Sequence, residues 1–138
     1  MSASTTQVLF GVLLLIHGLG HIGALAALPF ADRSYNKSGW RPARSWLFPK
    51  LAPRTARLIA SVFWALSAVG FIAAALAFWG ILLPTSLWQP LAVVFAIIST
   101  TGIVLFFGTW PMFNTVAALA VNIAVFVCVF WLHWPSST

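Results

Sequence analysis

Two histidines, His17 and His21, are the residues of this chain whose type and spacing could do chemistry. They stand in the sequence His17-Gly18-Leu19-Gly20-His21, within a long apolar stretch. Residues at positions i and i+4 lie on one face of a helix, so both imidazoles should face the same way, one turn apart. An ionisable side chain inside a membrane segment usually faces the protein interior and marks a functional site. The pair is therefore the candidate site, and the glycines leave room for a neighbouring helix or a flat ligand.

Uncharged polar residues at the same depth should complete this site. Counting along the apolar stretches at about 1.5 Å per residue places Thr101 and Asn122 near the level of His21. The sequence therefore predicts a polar cluster of His17, His21, Thr101 and Asn122, with Ser67 or Ser99 nearby.

Three roles remain open for the cluster. Its members could hydrogen-bond to one another and fix the register of the helices. They could bind a metal, because an i, i+4 histidine pair suits one, although no buried carboxylate or thiolate completes the ligand set. They could instead contact haem or a quinone. One haem cannot use both histidines as axial ligands, since those ligands lie on opposite faces of the ring, so a second subunit would have to supply one. The cofactor is left unknown, with haem and quinone as the candidates.

Several catalytic classes are excluded by the composition. Asp32 is the only carboxylate side chain in 138 residues, so catalysis by paired carboxylates is absent. The single cysteine, Cys128, rules out an internal disulfide and a cysteine-based zinc site. The leading hypothesis is a non-catalytic accessory or assembly subunit of a larger bacterial membrane complex. The alternatives are a redox-linked protein that binds haem or quinone near the histidine pair, and a transporter of small solutes or lipids.

The elements that must position these residues are membrane helices. The chain is 62% hydrophobic and 6% charged, with a mean hydropathy of +1.01, whereas about a quarter of the residues of a soluble domain are charged. Four apolar stretches, at about 8–28, 55–79, 87–107 and 112–133, can each cross roughly 30 Å of hydrocarbon. Short links join the last three stretches. The sequence predicts an all-α integral membrane protein, an antiparallel four-helix bundle formed by one domain over residues 1–138.

The link between the first two stretches carries the charge of the chain. All seven Lys and Arg residues lie between residues 31 and 57. The loop 29–54 contains four prolines, which argue against a continuous helix. Its cations alternate with aromatic residues, as in segments that lie among lipid headgroups. We expect contacts with anionic headgroups from Arg41, Arg44, Lys50, Arg54 and Arg57.

The position of this basic loop predicts the orientation of the chain. The positive-inside rule places the loop in the cytoplasm and both termini outside, in a bacterial inner membrane. Trp79, Trp88, Trp131 and Trp134 then mark the outer boundary, and Trp40, Trp46 and Trp110 the inner one, so these tryptophans are interpreted as interfacial anchors. The expected partners are membrane lipids and other membrane subunits or a second copy of the chain. Nucleic acid is not expected, because a nucleic-acid binder spreads its cations over an aqueous face.

The order of the motifs is familiar. A His-Gly-x-x-His pattern in the first span, a basic loop and two plain spans are followed by Phe107-Gly108-Thr109 and then Asn114. In this order the chain resembles small four-helix bacterial inner-membrane proteins that are DoxX-like in size and helix count. DoxX-like proteins are associated with quinone-linked redox complexes, so the resemblance implies a redox-linked role.

Overall fold

The protein is built from four long helices, in a computed structural model that describes residues 3–31 and 39–134. The helices are α1 (Ala3–Ala27), α2 (Pro53–Phe78), α3 (Trp88–Leu105) and α4 (Met112–Phe126). Short 3₁₀ turns at Leu28–Phe30 and Thr85–Leu87 follow α1 and precede α3, and a π-helical turn at Val127–Trp131 continues α4. The described residues contain no strand. The predicted all-α four-helix bundle is confirmed.

In the part of the chain that the structure describes, four helical segments are long and apolar enough to cross a membrane: Thr5–Phe30, Pro53–Phe78, Thr85–Leu105 and Met112–Trp131. A backbone surrounded by lipid must satisfy its hydrogen bonds internally, and helices do so. Their limits lie within a few residues of the four predicted spans. The main difference is at the end of α4, where α-helical bonding gives way to the π-helical turn before residue 133. The chain is a small multi-pass membrane protein.

The four helices do not pack equally closely. Interfaces between α1 and α2 and between α2 and α3 are extensive, whereas α1 and α4 touch at few points. Glycines permit close approaches at both extensive interfaces. A Cβ on Gly18 would lie 3.0 Å from the Ala68 carbonyl oxygen on α2, and a Cβ on Gly70 would fall within the ring of Phe95 on α3. Helices approach this closely in lipid where small residues line their interface.

Two hydrophobic clusters fill the bundle, one on each side of the histidines. The ring of Phe10 packs on Trp88 and Trp134, with centroids 5.8 and 5.3 Å apart, near the start of α1. At the opposite end, Trp40 and Trp64 both pack on Trp110. Trp88 and Trp134 thus lie in one cluster and Trp40 and Trp110 in the other, which agrees with the groups predicted for these four.

Two of these tryptophans are not the interfacial anchors that the sequence predicts. Trp88 and Trp110 are each only 8% exposed. Both lie inside a cluster of other aromatic rings, which covers them more completely than a headgroup zone would.

The basic loop is docked on the bundle. Within the predicted loop 29–54, residues 39–52 contain no helix, as the prolines predict, whereas residues 29–31 and 53–54 belong to helical elements. The backbone N–H of Arg41 donates to the Thr109 carbonyl at 2.9 Å, and the Trp46 indole N–H donates to the Val104 carbonyl at 2.6 Å. These bonds hold the loop against the turn between α3 and α4. Asp32, Arg33 and Lys37 lie outside the described residues.

Candidate functional site

A buried hydrogen-bond network joins both histidines to α3 and α4. His17 Nε2 lies 3.0 Å from Asn122 Oδ1, and His21 Nε2 lies 3.0 Å from Ser99 Oγ. The Asn122 amide nitrogen donates to Ser99 Oγ and to Thr100 Oγ1, each at 3.0 Å. One asparagine thus connects the two imidazoles through a serine, and three helices meet at these side chains.

This network is almost completely removed from the surface. His21 and Asn122 are 1% exposed, Ser99 is fully buried and His17 is 8% exposed. The two imidazole rings lie 4.9 Å apart, and that of His17 also packs edge-on against Phe71. The pair is therefore fixed in place by packing as well as by hydrogen bonds.

Of the four residues predicted to cluster, the structure brings His17, His21 and Asn122 together and leaves Thr101 outside the network. Thr101 is exposed, and its hydroxyl donates to the Ile97 carbonyl of its own helix at 2.8 Å. The reason is helical geometry: Thr101 follows Ser99 by two residues, which rotates it by about 200° around α3. Depth along a helix does not determine which face a residue occupies. Thr100 takes the predicted place of its neighbour.

Of the two serines predicted nearby, only Ser99 belongs to the network. Ser67 is equally buried. Its hydroxyl donates to the Phe63 carbonyl on the same helix at 2.8 Å. A serine can satisfy itself within its own helix in this way, so burial alone does not place it in a site.

A cavity of about 330 Å³ lies beside the histidines, between α1, α4 and the docked loop. His17 and His21 form part of its wall, and Gly20 provides open space, since nothing lies within 4 Å of a Cβ built there. The rim includes Ile16 and Phe113, which are 60% and 82% exposed on the outer faces of α1 and α4. The cavity therefore opens on the outer surface of the bundle, between α1 and α4.

Aromatic rings supply much of the wall, and the sequence did not single them out as site residues. Trp40 from the loop, Trp110 from the α3–α4 turn and Phe113 from α4 all line the cavity. No spacing rule marks Trp40, because a loop residue reaches the cavity only through the docking of the loop on the bundle. Asn114, quoted above for a resemblance, also lines the cavity.

Two polar atoms next to the cavity have no partner. His21 Nδ1 and Trp110 Nε1 are buried and make no hydrogen bond to any described residue. Their rings lie 5.2 Å apart, and both residues line the cavity. A buried polar group without a partner costs free energy, so such groups point to a ligand or a function.

The donor atoms of the site favour some ligands over others. Among the described residues, no three His, Cys, Asp or Glu side chains come together as a metal-binding group. For haem, both Nε2 atoms are already occupied in the network and the two histidines share one helix face. The atom that remains for a ligand on His21 is Nδ1, which suits a hydrogen bond to a small polar group.

The cations predicted to contact lipid headgroups lie in the basic loop and near the start of α2. Arg41, Arg44, Lys50, Arg54 and Arg57 are all exposed. Trp46, Leu47 and Phe48, between them in sequence, are exposed as well.

Comparison of the chain with protein-family models, with curated proteins and with solved structures finds no match in any of the three.

Proposed function

We propose that this small membrane protein binds a ligand of the quinone class in the cavity between α1 and α4. The observation that carries the proposal is the buried, unpartnered Nδ1 of His21 beside a cavity that opens on the outer surface of the bundle. A quinone or its reduced form has a flat ring with polar oxygens and an apolar tail. The oxygens match the polar atoms of the wall, and the tail can remain among the acyl chains.

The size and lining of the cavity support this ligand class. Small-molecule sites usually have volumes of about 300–1,000 Å³ and mostly apolar walls with a few placed polar groups. At about 330 Å³ the cavity is large enough for a single ring. Trp40, Trp110 and Phe113 offer aromatic surfaces on which a flat ring packs well.

A cavity-filling substitution tests the proposal. Gly20→Leu places a side chain in open space at the cavity wall, and Gly23→Leu places the same side chain on α1 where nothing lies within 4 Å and outside the lining of this cavity. We expect Gly20→Leu to abolish binding of a decyl-substituted benzoquinone, measured by calorimetry in detergent, and Gly23→Leu to bind as the unmodified protein does. Equal binding by both variants would place the ligand elsewhere, and no binding by the unmodified protein would refute the function.

We also propose that the protein serves as an accessory or assembly subunit of a larger bacterial inner-membrane complex. A chain with one carboxylate side chain has few groups for acid–base catalysis, so a bound quinone would exchange electrons with a partner. The resemblance to DoxX-like proteins supports the same role. Isolation in a mild detergent should recover further membrane chains together with this one. Recovery of this chain alone, with quinone turnover by it, would contradict the proposal.

The proposed orientation places the docked loop on the cytoplasmic side. Its exposed aromatic residues, Trp46 and Phe48, are suited to the headgroup zone, and the cations Arg44, Lys50 and Arg54 would face anionic phosphates. Binding of fluorescent anionic lipid should weaken when Arg44, Lys50 and Arg54 are all changed to Gln. Unchanged binding would remove these residues as headgroup ligands.

A further inference from the structure

The buried network dictates which ring nitrogen of each histidine carries a proton. Both amide hydrogens of Asn122 are donated, one to Ser99 and one to Thr100, and its oxygen faces His17 Nε2. An amide oxygen can only accept, so the proton of neutral His17 is on Nε2 and its Nδ1 has a free lone pair.

Ser99 fixes the opposite tautomer for His21. A serine hydroxyl has one hydrogen, and Ser99 Oγ already accepts from Asn122. Among the described residues, the acceptor that it reaches is His21 Nε2, at 3.0 Å. The proton of neutral His21 is therefore on Nδ1, the atom without a partner.

This opposition does not depend on the orientation of the Asn122 amide. If the amide oxygen and nitrogen exchanged places, the nitrogen would donate to His17 Nε2, and the hydroxyl of Ser99 would donate to the amide oxygen. His21 Nε2 would then donate to Ser99, so both histidines would change tautomer together. In either arrangement one Nδ1 is a donor and the other is an acceptor.

We propose that the histidine pair recognises a group that donates and accepts at once, so that the site prefers the hydroquinone to the quinone. Both histidines line the cavity and their Nε2 atoms are occupied, so a ligand that bonds to either ring must reach its Nδ1 atom. The rings lie 4.9 Å apart. That distance joins the ring centroids; one hydroxyl oxygen with two hydrogen bonds of about 2.9 Å bridges nitrogens up to nearly 6 Å apart, so the proposal requires the two Nδ1 atoms to lie within that range. The inference rests on the quinone-class function proposed above.

The carbonyl oxygen of a quinone can form a hydrogen bond with only one of the two Nδ1 atoms. It accepts from the Nδ1 that carries the proton and leaves the lone pair of the other imidazole unmatched in a buried site. Leaving a buried polar group unmatched weakens binding, and we expect the hydroquinone to bind roughly tenfold more tightly or better.

Calorimetry under argon tests the preference with three matched ligands: a decyl-substituted benzoquinone, its hydroquinone, and the dimethyl ether of the hydroquinone, which cannot donate. The expected order of affinity is hydroquinone, then quinone, then dimethyl ether. Equal affinity for the two redox forms, or tighter binding of the quinone, would overturn the inference while leaving the proposed function in place. No binding of any of the three would overturn both.

A serine pair provides the matched variants. Ser99→Ala removes the hydroxyl that fixes the tautomer of His21, so the preference for the hydroquinone should fall several-fold toward equal binding. Ser67→Ala removes an equally buried hydroxyl that bonds only within its own helix, so the preference should be unchanged. A preference that persists in Ser99→Ala would show that the network does not set it.

Discussion

His17 Nε2 lies 3.0 Å from Asn122 Oδ1, and this hydrogen bond joins the first helix of the bundle to the last. Apolar contact between α1 and α4 is sparse, because the cavity lies between them. Asn122 also donates to the hydroxyls of Ser99 and Thr100 on α3, so a single side chain connects three helices. Polar contacts in lipid hold helices together where apolar packing gives no preference for protein over acyl chains.

Replacement of Asn122 should therefore loosen the bundle. Asn122→Leu removes three hydrogen bonds of roughly 0.6–1 kcal/mol each in lipid, for an expected loss of about 2 kcal/mol in the free energy of unfolding. The loss can be measured by unfolding in mixed detergent micelles containing dodecyl sulfate. Thr101→Val is the matched control, because its hydroxyl bonds only within α3, and it should cost under about 0.5 kcal/mol. Equal losses in the two variants would contradict a connecting role for Asn122.

A single methyl group added at the contact between α2 and α3 should also destabilise the protein. A Cβ at Gly70 would overlap the Phe95 ring, so Gly70→Ala should destabilise the protein by about 1–3 kcal/mol through overpacking. Gly23→Ala introduces the same methyl group where nothing lies within 4 Å and should be neutral or slightly stabilising. Thermal unfolding in detergent compares the two. A neutral Gly70→Ala would mean that the helices can separate at no cost.

Composition and periodicity were sufficient to predict the helices, and residue type was sufficient to predict some of the residues in the site. Four uncharged stretches of about 20 residues have few alternatives in lipid, so the bundle could be predicted. His17, His21 and Asn122 could be predicted as well, because polar groups in such helices are rare and must meet one another. The choice of Thr100 over Thr101 could not, since it depends on the rotation of α3 against its neighbours. Nor could the place of Trp40, which depends on two hydrogen bonds of the loop to the α3–α4 region.

Trp64 offers a case where a buried polar atom should be dispensable. Its ring is 1% exposed, and its Nε1 has no partner among the described residues. Trp64→Phe removes this unpartnered donor and keeps most of the ring, so we expect the free energy of unfolding to change by less than about 1 kcal/mol. Trp64→Ala should cost roughly 3–5 kcal/mol, because it leaves a large cavity.

A water molecule bound to the indole N–H of Trp64 would reverse the expectation for Trp64→Phe. A cavity of about 10 Å³ lies between Trp64 and Trp110, close to the smallest space that holds one water. If Trp64→Phe costs more than about 2 kcal/mol, the indole N–H has a partner there, and the donor is not dispensable.

The proposed orientation can be checked with single cysteines. In a Cys128→Ala background, Lys50→Cys and Ile81→Cys each introduce one thiol at an exposed position, in the basic loop and in the α2–α3 link respectively. A membrane-impermeant maleimide should label Ile81→Cys in intact bacterial cells and Lys50→Cys in inverted vesicles, because cationic loops stay inside. Labelling of both thiols from one side would contradict the crossing of α2, and the reverse pattern would invert the orientation.

The opening of the cavity between Ile16 and Phe113 would determine how the proposed quinone reaches its site. A molecule that arrives through that gap comes from the hydrocarbon phase, so occupancy follows its mole fraction among the lipids and not its molarity in the surrounding buffer. Added detergent dilutes that phase and should lower the apparent affinity in proportion, even though no contact in the cavity has changed. Water-soluble analogues that do not partition into the bilayer should be poor competitors for the same reason.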